Sequence, residues 1–261
     1  MSPRPLLFGT NFKMNQTPEE SATFYRALAA SPPPPDGVQR FMIPPFTSLA
    51  AVTTLAAADD AGIWIGAQNM HWAPDGAYTG EISARMLTAL GVDLVLLGHA
   101  ERREHFHETD TNLNKKVLAA MDAGLRVLLC VGETAAEREF GVGPETVARQ
   151  LKIGLHGLPE PSVARLVIAY EPVWSIGAGG APASPDDVEP IAGVIRSALG
   201  SLFGDAAADV PVLYGGSVNP QNAGAFVGVP GIDGLFVGRA AWTVEGYRAT
   251  LDAAVAARFG G

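Results

Sequence analysis

Glu171 is the residue of this chain best placed for acid–base chemistry. It directly follows the apolar run 166–170 and opens the glycine-rich segment 171–180. A carboxylate at the carboxyl end of a buried strand is well placed to remove a proton from a substrate. Glycines behind it allow backbone N–H groups to approach an anion closely. The sequence at this junction therefore indicates a general base beside an anion-binding loop.

Two further junctions between an apolar run and a polar segment carry ionisable side chains. His99 comes shortly after the run 94–97, and Lys13 follows Asn11 after the run 6–8. A histidine can polarise a carbonyl oxygen, and a lysine supplies a fixed cation for an oxyanion or a phosphate. A base, an electrophile and a cation are thus all predicted at points where strands end and loops begin.

Composition restricts the class of protein. The 261 residues are enough for one large domain with a substantial core, and 48% hydrophobic content with 17% charged content is typical of a globular protein. The formal net charge of −9 argues against nucleic acid as a partner. It also means that an anionic ligand requires a locally positive pocket. The sequence contains no run of 18 apolar residues, so we expect no membrane span.

The cellular compartment is predicted from the cysteine content and the N-terminus. Cys130 is the single cysteine, which excludes an internal disulfide and suits a reducing cytoplasm. The first five residues lack the apolar core of a secretory signal. We therefore expect a cytoplasmic location.

Short apolar runs alternate with helix-like segments along the chain. Most of the predicted strands lack period-two alternation, which indicates burial on both faces, as in a parallel sheet. These strands are 5–11, 38–43, 62–67, 92–97, 125–131, 164–170, 210–215 and 232–237. The helices predicted after them are 18–30, 46–58, 82–90, 102–122, 134–156, 185–199, 219–226 and 243–258. Three of these helices begin with a cap-then-proline pattern, at Thr17, Ser184 and Asn219.

Eight strand–helix units in about 250 residues meet the requirement of an α/β fold, the single (β/α)8 barrel, here one domain over 1–261. A doubly wound open sheet is the alternative, but its first turn usually reads G-x-G-x-x-G, and here the segment is Gly9-Thr-Asn-Phe-Lys13. In a barrel, the residues after each strand converge on one mouth. The residues brought together in this way are Asn11, Lys13, His99, Glu171, 215–217 and Gly238.

With these residues identified, the chain resembles the triosephosphate isomerase family along nearly its whole length. Each matching segment alone is a modest signal, but their joint occurrence in this order is specific. The segments are Asn11-Phe-Lys-Met-Asn15, Gly66-Ala-Gln-Asn69, Gly76-Ala-Tyr-Thr-Gly-Glu81, Gly98-His-Ala-Glu-Arg-Arg103, Cys130-Val-Gly-Glu133, Ala169-Tyr-Glu-Pro-Val-Trp174 and Tyr214-Gly-Gly-Ser-Val218.

The resemblance implies an intramolecular aldose–ketose isomerase. Such an enzyme interconverts dihydroxyacetone phosphate and glyceraldehyde 3-phosphate, a step of glycolysis and gluconeogenesis, by proton transfer through an enediol. Glu171 resembles the base of the family, His99 its neutral electrophile, and Lys13 the cation that stabilises the enediolate and the phosphate. Proton transfer next to a carbonyl needs no metal and no organic cofactor, so none is predicted.

The resemblance also implies how the substrate is held. Asn11 is expected to donate to a substrate oxygen, and Glu101 to support the lysine. Backbone N–H groups near Gly177, Ser217 and Gly238 are expected to hold the phosphate. The segment 172–181 matches a closing lid, which protects an unstable enediol from water.

A homodimer is predicted from the long segment 69–80. It is rich in aromatic and small residues, which are unusual on the surface of a monomer. In the family this loop inserts into the partner subunit, and Thr79 is the matching residue at its tip. The predicted partners are therefore a small phosphorylated sugar and a second copy of the chain.

Departures from the family pattern concern the substrate and not the reaction type. Ala100 stands where serine is usual, and Arg239 follows Gly238 where typical members have a second glycine. The segment Val237-Gly-Arg-Ala-Ala-Trp242 is more similar to paralogues that isomerise four-carbon erythrulose phosphates. Arg239 is predicted to contact the substrate, or else to pair with an acid such as Glu245.

Three hypotheses for the function follow. The first is isomerisation of triose phosphates, and the second is the same chemistry on a four-carbon tetrulose phosphate. The third is a barrel that binds a phosphorylated metabolite without turnover. The presence of the base, the electrophile and the cation in one sequence argues against the third.

Overall fold

The fold is a closed barrel of parallel strands, seen in a computed structural model that describes residues 4–176 and 180–260. Within those ranges, eight strands pair in chain order, and the last pairs with the first. This closure confirms the predicted (β/α)8 barrel and excludes the open-sheet alternative. The strands are β1 (Leu6–Asn11), β2 (Val38–Ile43), β3 (Ile63–Ala67), β4 (Leu94–Leu97), β5 (Arg126–Val131), β6 (Leu166–Tyr170), β7 (Val212–Tyr214) and β8 (Gly234–Val237).

Helices surround the barrel and cover the outer faces of the strands. Ten α-helices occur in the described part of the chain, and short 3-10 turns extend several connections. The helices are α1 (Pro18–Ala29), α2 (Leu49–Ala56), α3 (Ala84–Ala89), α4 (Ala100–His105), α5 (Asp110–Asp122), α6 (Ala135–Glu139), α7 (Gly143–Gly154), α8 (Pro185–Phe203), α9 (Ala223–Val227) and α10 (Val244–Phe259).

Alternate strand residues point into the barrel, and this parity carries polar residues into its mouth. On β6 the inward positions are Val167 and Ala169, and the next inward position is Glu171. On β1 the inward position Gly9 is followed two residues later by the next inward position, Asn11. The apolar residues that fill the interior are Leu7, Phe41, Ile43, Leu94, Leu96, Leu128, Cys130, Val167, Ala169, Leu213 and Phe236. Apolar residues predominate on both faces of most strands, which explains why the sequence shows little alternation.

Side-chain caps start the helices where the cap-then-proline pattern predicts them, with one exception. Thr17 and Ser184 each accept the backbone N–H three residues later, at 3.3 Å, and complete capping boxes. The prediction at Asn219 is wrong. The Oδ1 atom of Asn219 accepts the N–H groups of Gln221 and Asn222, which closes a turn, and α9 begins only at Ala223.

Two predicted long helices, 102–122 and 134–156, are each broken into two. The first breaks because His107 adopts a φ of 54° and the side chain of Thr109 caps a new helix, α5. The second breaks because Gly141 adopts a φ of 72°, a left-handed conformation that stops α6 before α7 begins. Helical periodicity continues across both breaks, which is why it predicted single helices.

One stretch among the described residues is long and apolar enough to pass a composition test for a membrane-crossing helix. It is Pro185–Asp209, which joins α8 to a 3-10 turn. Helix α8 is buried on one face through residues such as Val188, Ile191 and Ile195, and its first turn carries Asp186 and Asp187. An apolar face of this kind is what a helix in the outer ring of a barrel requires, because it packs on apolar strands.

Candidate active site

Glu171 is held at the mouth of the barrel by contacts with the ends of β4 and β5. The residue is only 2% exposed. Its backbone N–H donates to the carbonyl of Val131 at 2.8 Å. The Oε2 atom accepts the backbone N–H of Ala100 at 3.0 Å, and the Oε1 atom lies 3.3 Å from Nε2 of His99. Ala100 has no hydroxyl to offer the carboxylate, and its contact with Glu171 is made by the main chain.

His99 presents a neutral donor toward that carboxylate. It caps α4, and its Nδ1 atom accepts the backbone N–H of Glu101 at 3.2 Å. A ring nitrogen that accepts a hydrogen bond carries no proton, so the single imidazole proton is assigned to Nε2. Nε2 faces Oε1 of Glu171. The geometry is that of a histidine able to donate to a carbonyl oxygen without being charged.

Lys13 lies beside both residues and is held in an unusual backbone conformation, with a φ of 54°. Its backbone N–H donates to Oδ1 of Asn11 at 2.8 Å. The amide of Gln68 donates to the same Oδ1 at 3.1 Å and to the Lys13 carbonyl at 2.7 Å. The Nζ atom pairs with Oε1 of Glu101 at 2.5 Å. These contacts occupy the Asn11 oxygen, and its NH₂ group is the part that can donate to a substrate.

Two connected cavities open over these residues. The inner cavity has a volume of about 50 Å³, and its lining comprises Asn11, Lys13, His99, Glu171, Ile176, Gly215, Gly216, Phe236, Val237 and Gly238. The outer cavity has a volume of about 370 Å³, and its lining comprises Lys13, Glu101, Ile176, Gly216, Ser217, Val218, Asn219, Gly238, Arg239 and Trp242. Two larger surface grooves of about 570 Å³ lie away from the strand ends and contain neither His99 nor Glu171.

Division into two cavities matches a ligand with a reacting end and a charged end. Glu171 and His99, the predicted base and electrophile, face only the inner cavity. Ser217 and Arg239 face only the outer one, and Gly238 borders both. A small phosphorylated molecule fits this arrangement with its reacting carbons between Glu171 and His99 and its phosphate outside them.

The first hinge of the predicted lid is anchored by a buried acid. The indole N–H of Trp174 donates to Oε1 of Glu133 at 2.6 Å, and the Val173 N–H donates to the Glu133 carbonyl at 3.0 Å. The hydroxyl of Tyr170 donates to the same carboxylate at 3.0 Å. Burial, followed by the charge of Glu133, raises the pKa of Tyr170 well above its usual range, so the phenol remains a donor. The Arg138 guanidinium lies 3.8 Å from the centre of the Trp174 ring.

Ser217 reaches back to the lid from the end of β7. Its hydroxyl donates to the carbonyl of Ser175 at 2.7 Å, and its own carbonyl accepts the amide of Asn222 at 2.9 Å. Gly216 beside it has no room for a side chain, because a Cβ atom there collides with the Tyr214 hydroxyl. Gly177, also predicted to contact the phosphate, lies outside the described residues.

Comparison with known proteins gives the same result as the geometry. A family model for triosephosphate isomerase matches residues 6–254. The chain belongs to the triosephosphate isomerase family. Membership of this catalytic family, together with relatives that are named as isomerases, identifies the chain as an isomerase. The third hypothesis, a barrel without turnover, is therefore not supported.

The relatives include enzymes named for each of the two substrates of the remaining hypotheses. An L-erythrulose-1-phosphate isomerase from Mesorhizobium japonicum is 48% identical over 95% of this chain and 97% of the relative. One from Brucella abortus is 46% identical over 92% of each chain. A triosephosphate isomerase from Acetivibrio thermocellus is 43% identical over 94% of this chain and 96% of the relative. Similarity is thus greater to the four-carbon enzymes than to this triose enzyme.

Several residues of this triosephosphate isomerase family site were not predicted from the sequence. Phe236 and Ile176 line the inner cavity, and the Phe236 ring stands edge-on to His99 with centroids 6.5 Å apart. The Trp242 indole donates to the carbonyl of Asn11 at 2.9 Å. Phe236 occupies the inward strand position two residues before Gly238, and this spacing is the signal that identifies it.

Two predicted supporting residues lie in different places. Glu101 joins the site through its pair with Lys13. Thr79 is exposed on the loop between β3 and α3, and it lines a surface groove and not the catalytic cavities of its own chain. Its predicted role therefore depends on a partner subunit.

Proposed function

We propose that this chain isomerises L-erythrulose 1-phosphate. The observation that carries the proposal is the higher whole-chain identity, 48% and 46%, to relatives that bear this name than the 43% to a triosephosphate isomerase. The overall resemblance of the segment 237–242 to paralogues that isomerise four-carbon erythrulose phosphates supports the same substrate. This proposal places the second hypothesis of the sequence analysis before the first.

The chemistry of this substrate differs from that of a triose phosphate by one group. L-Erythrulose 1-phosphate carries its phosphate on C1, its carbonyl on C2 and hydroxyl groups on C3 and C4. It is dihydroxyacetone phosphate with an added hydroxymethyl group on the carbon that loses the proton. Proton transfer from C3 to C2 moves the carbonyl to C3 and gives another ketose, erythrulose 4-phosphate. The aldose–ketose description therefore applies only to the three-carbon substrate.

Three side chains perform this transfer in the proposal. His99 donates from Nε2 to the C2 carbonyl oxygen, which acidifies the C3 proton. Glu171 removes that proton and returns it to C2, while the hydroxyl proton on O3 passes to O2 through Nε2 of His99, so that the carbonyl moves to C3. Lys13 stabilises the negative charge that develops on the enediolate oxygen.

Substrate entry also releases the base. In the structure, Nε2 of His99 faces Oε1 of Glu171 at 3.3 Å. A substrate carbonyl that accepts the Nε2–H takes over this contact. One carboxylate oxygen is then free to accept a proton, while Oε2 retains the Ala100 N–H.

Triose phosphate isomerisation is the second candidate function. It is favoured by the 43% identity to the Acetivibrio thermocellus enzyme and by a base, electrophile and cation that act on either substrate. The enediol spans the two carbons next to the phosphate-bearing carbon in both molecules, so these three residues do not discriminate between them.

Parallel kinetics test the proposal. We expect kcat/KM for L-erythrulose 1-phosphate to exceed that for dihydroxyacetone phosphate by about tenfold or more, the range that one small substituent can supply. Proton NMR in D₂O should show the loss of the C3–H signal of the erythrulose 4-phosphate product, because this carbon, which was C2 of the substrate, acquires deuterium. The D enantiomer and heat-denatured protein serve as controls. Faster turnover of dihydroxyacetone phosphate would refute the four-carbon assignment and favour the second candidate.

We also propose that the chain acts as a homodimer, as predicted from segment 69–80. Within that loop the His71 ring stacks on Trp72 and lies tilted by 35° against Tyr78, with centroids 4.2 Å apart in each pair. Tyr78 is nevertheless 48% exposed, and Met14, next to the lysine, is 96% exposed. A preformed aromatic loop and an exposed methionine beside the active site favour burial against a second subunit.

A further inference from the structure

We propose that Arg239 binds the phosphate group of the substrate and recognises it as a dianion, with equal effect on three-carbon and four-carbon substrates. The inference rests on the proposed function only in requiring a phosphorylated ligand. It assigns Arg239 to one end of the substrate, which the sequence left open.

The position of Arg239 separates it from the reacting carbons. It begins a 3-10 turn directly after Gly238 and lines the outer cavity with Ser217. It does not line the inner cavity, where Glu171 and His99 lie. Arg239 thus faces the end of the ligand that lies outside the base and the electrophile.

The charge of Arg239 is not balanced by a neighbouring acid. Lys13, the other cation of the outer cavity, pairs with Glu101 at 2.5 Å. Arg239 is exposed and forms no ion pair within residues 4–176 and 180–260, and the alternative pairing with Glu245 is not formed there. In a protein with a net charge of −9, an uncompensated guanidinium is the local attraction that an anionic ligand requires.

The structures of the two candidate substrates exclude a role for Arg239 in distinguishing one from the other. The extra hydroxymethyl group of the tetrulose is attached at C3, on the far side of the carbonyl from the phosphate. A residue at the phosphate end therefore meets the same atoms in both molecules. Discrimination between the three-carbon and four-carbon substrates therefore depends on the residues that line the inner cavity, which include Phe236 and Ile176.

Binding of glycerol 1-phosphate tests the inference without turnover, because this probe has the phosphate ester and no carbonyl. Arg239→Gln should weaken its binding, measured by calorimetry, about tenfold at pH 7.5, the effect of one partly exposed charge-assisted contact. The matched control is Arg26→Gln, an exposed arginine in the last turn of α1, which should bind normally. The loss should shrink at pH 5, where a phosphate with a second pKa of about 6 is a monoanion. High salt should also reduce it.

A conservative variant separates charge from structure. Arg239→Lys should recover most of the lost affinity, and Arg239→Gln should lower kcat/KM for dihydroxyacetone phosphate and erythrulose 1-phosphate by the same factor. Unchanged glycerol 1-phosphate binding in Arg239→Gln, or equal losses in the Lys and Gln variants, would overturn the inference, as would a loss confined to the four-carbon substrate. Absence of erythrulose 1-phosphate turnover, with the binding pattern intact, would refute only the proposed function.

Discussion

Nε2 of His99 lies 3.3 Å from Oε1 of Glu171, while Oε2 of the same carboxylate accepts the Ala100 N–H at 3.0 Å. The predicted electrophile and the predicted base are therefore direct neighbours. The Ala100 N–H donates to Oε2 of Glu171. Nε2 of His99 faces Oε1, and it is this donor that can transfer its hydrogen bond to a substrate. Positioning of the base thus depends on both groups.

Shortening the base should abolish most of the activity while ligand binding is retained. Glu171→Asp withdraws the carboxylate by one methylene from the carbon that loses its proton. We expect kcat to fall by about 10²–10⁴, the usual contribution of a positioned general base. Steady-state kinetics measure the loss, and glycerol 1-phosphate binding should remain near the parental value. A decrease below about tenfold would mean that Glu171 is not the base.

Removing the main-chain donor to the base should reduce turnover without disturbing the fold. Ala100→Pro deletes that N–H at the first position of α4, where proline is tolerated. His99 already has a φ of −50° and a ψ of 141°, the extended conformation required before proline. We expect kcat to fall about tenfold, because one hydrogen bond to a charged group is lost. Ala100→Ser, which keeps the N–H, is the control, and equal rates in both variants would contradict the anchoring role.

Cys130 should be unreactive in the folded protein at neutral pH. Complete burial, and then the adjacent charge of Glu171, raise the pKa of its thiol well above the usual value. Because the thiolate is the nucleophile, iodoacetamide should label the native protein slowly at pH 8 and the unfolded protein readily.

The raised pKa of the Cys130 thiol also makes the stability of the folded protein depend on pH. A thiol whose pKa is raised by folding contributes stability below its unfolded pKa of about 8.5, and this contribution is lost as the pH rises further. Urea midpoints of the parent should therefore fall between pH 8 and pH 10 more than those of Cys130→Ala. Rapid labelling of the native protein, or parallel midpoints in the two proteins, would contradict the burial of a protonated thiol.

Association should depend on the exposed aromatic loop. Light scattering is expected to give twice the 27.2 kDa of one chain at micromolar concentration. Tyr78→Asp should shift the protein toward the monomer and lower its activity, because a charge is costly to bury in an interface. Phe140→Asp, at a 76% exposed residue after α6, is the control and should leave the mass unchanged. Full activity in a 27.2 kDa species would refute the dimer.

Strand positions were predictable from the sequence because every strand of a barrel is a short apolar run between polar loops. All eight agree with the structure to within two residues at each end. Helix breaks were less predictable, since single residues such as His107 and Gly141 interrupt a periodicity that continues beyond them. Hydrophobic periodicity is averaged over one or two helical turns, so an unusual backbone conformation at one residue hardly changes it.

That Glu171, His99 and Lys13 lie around one cavity was predictable, because each is a side chain that follows a strand end. The candidate site was not predictable where the contribution is a main-chain group or a shape. The N–H of Ala100 has no residue type that reveals it, and the edge-on contact of Phe236 with His99 arises from two strands that are far apart in sequence. Such features become visible only when closure of the barrel brings the strand ends together.

Glu171 and the first hinge of the predicted lid are both hydrogen-bonded to the main chain at the end of β5. Glu171 N–H donates to the carbonyl of Val131, and Val173 N–H donates to that of Glu133, so consecutive main-chain contacts tie β6 and its continuation to the end of β5. A movement of the segment beyond Val173 would therefore act on the same main-chain contacts that position the Glu171 carboxylate. We therefore expect substitutions that alter the movement of this segment to alter the placement of the Glu171 carboxylate as well.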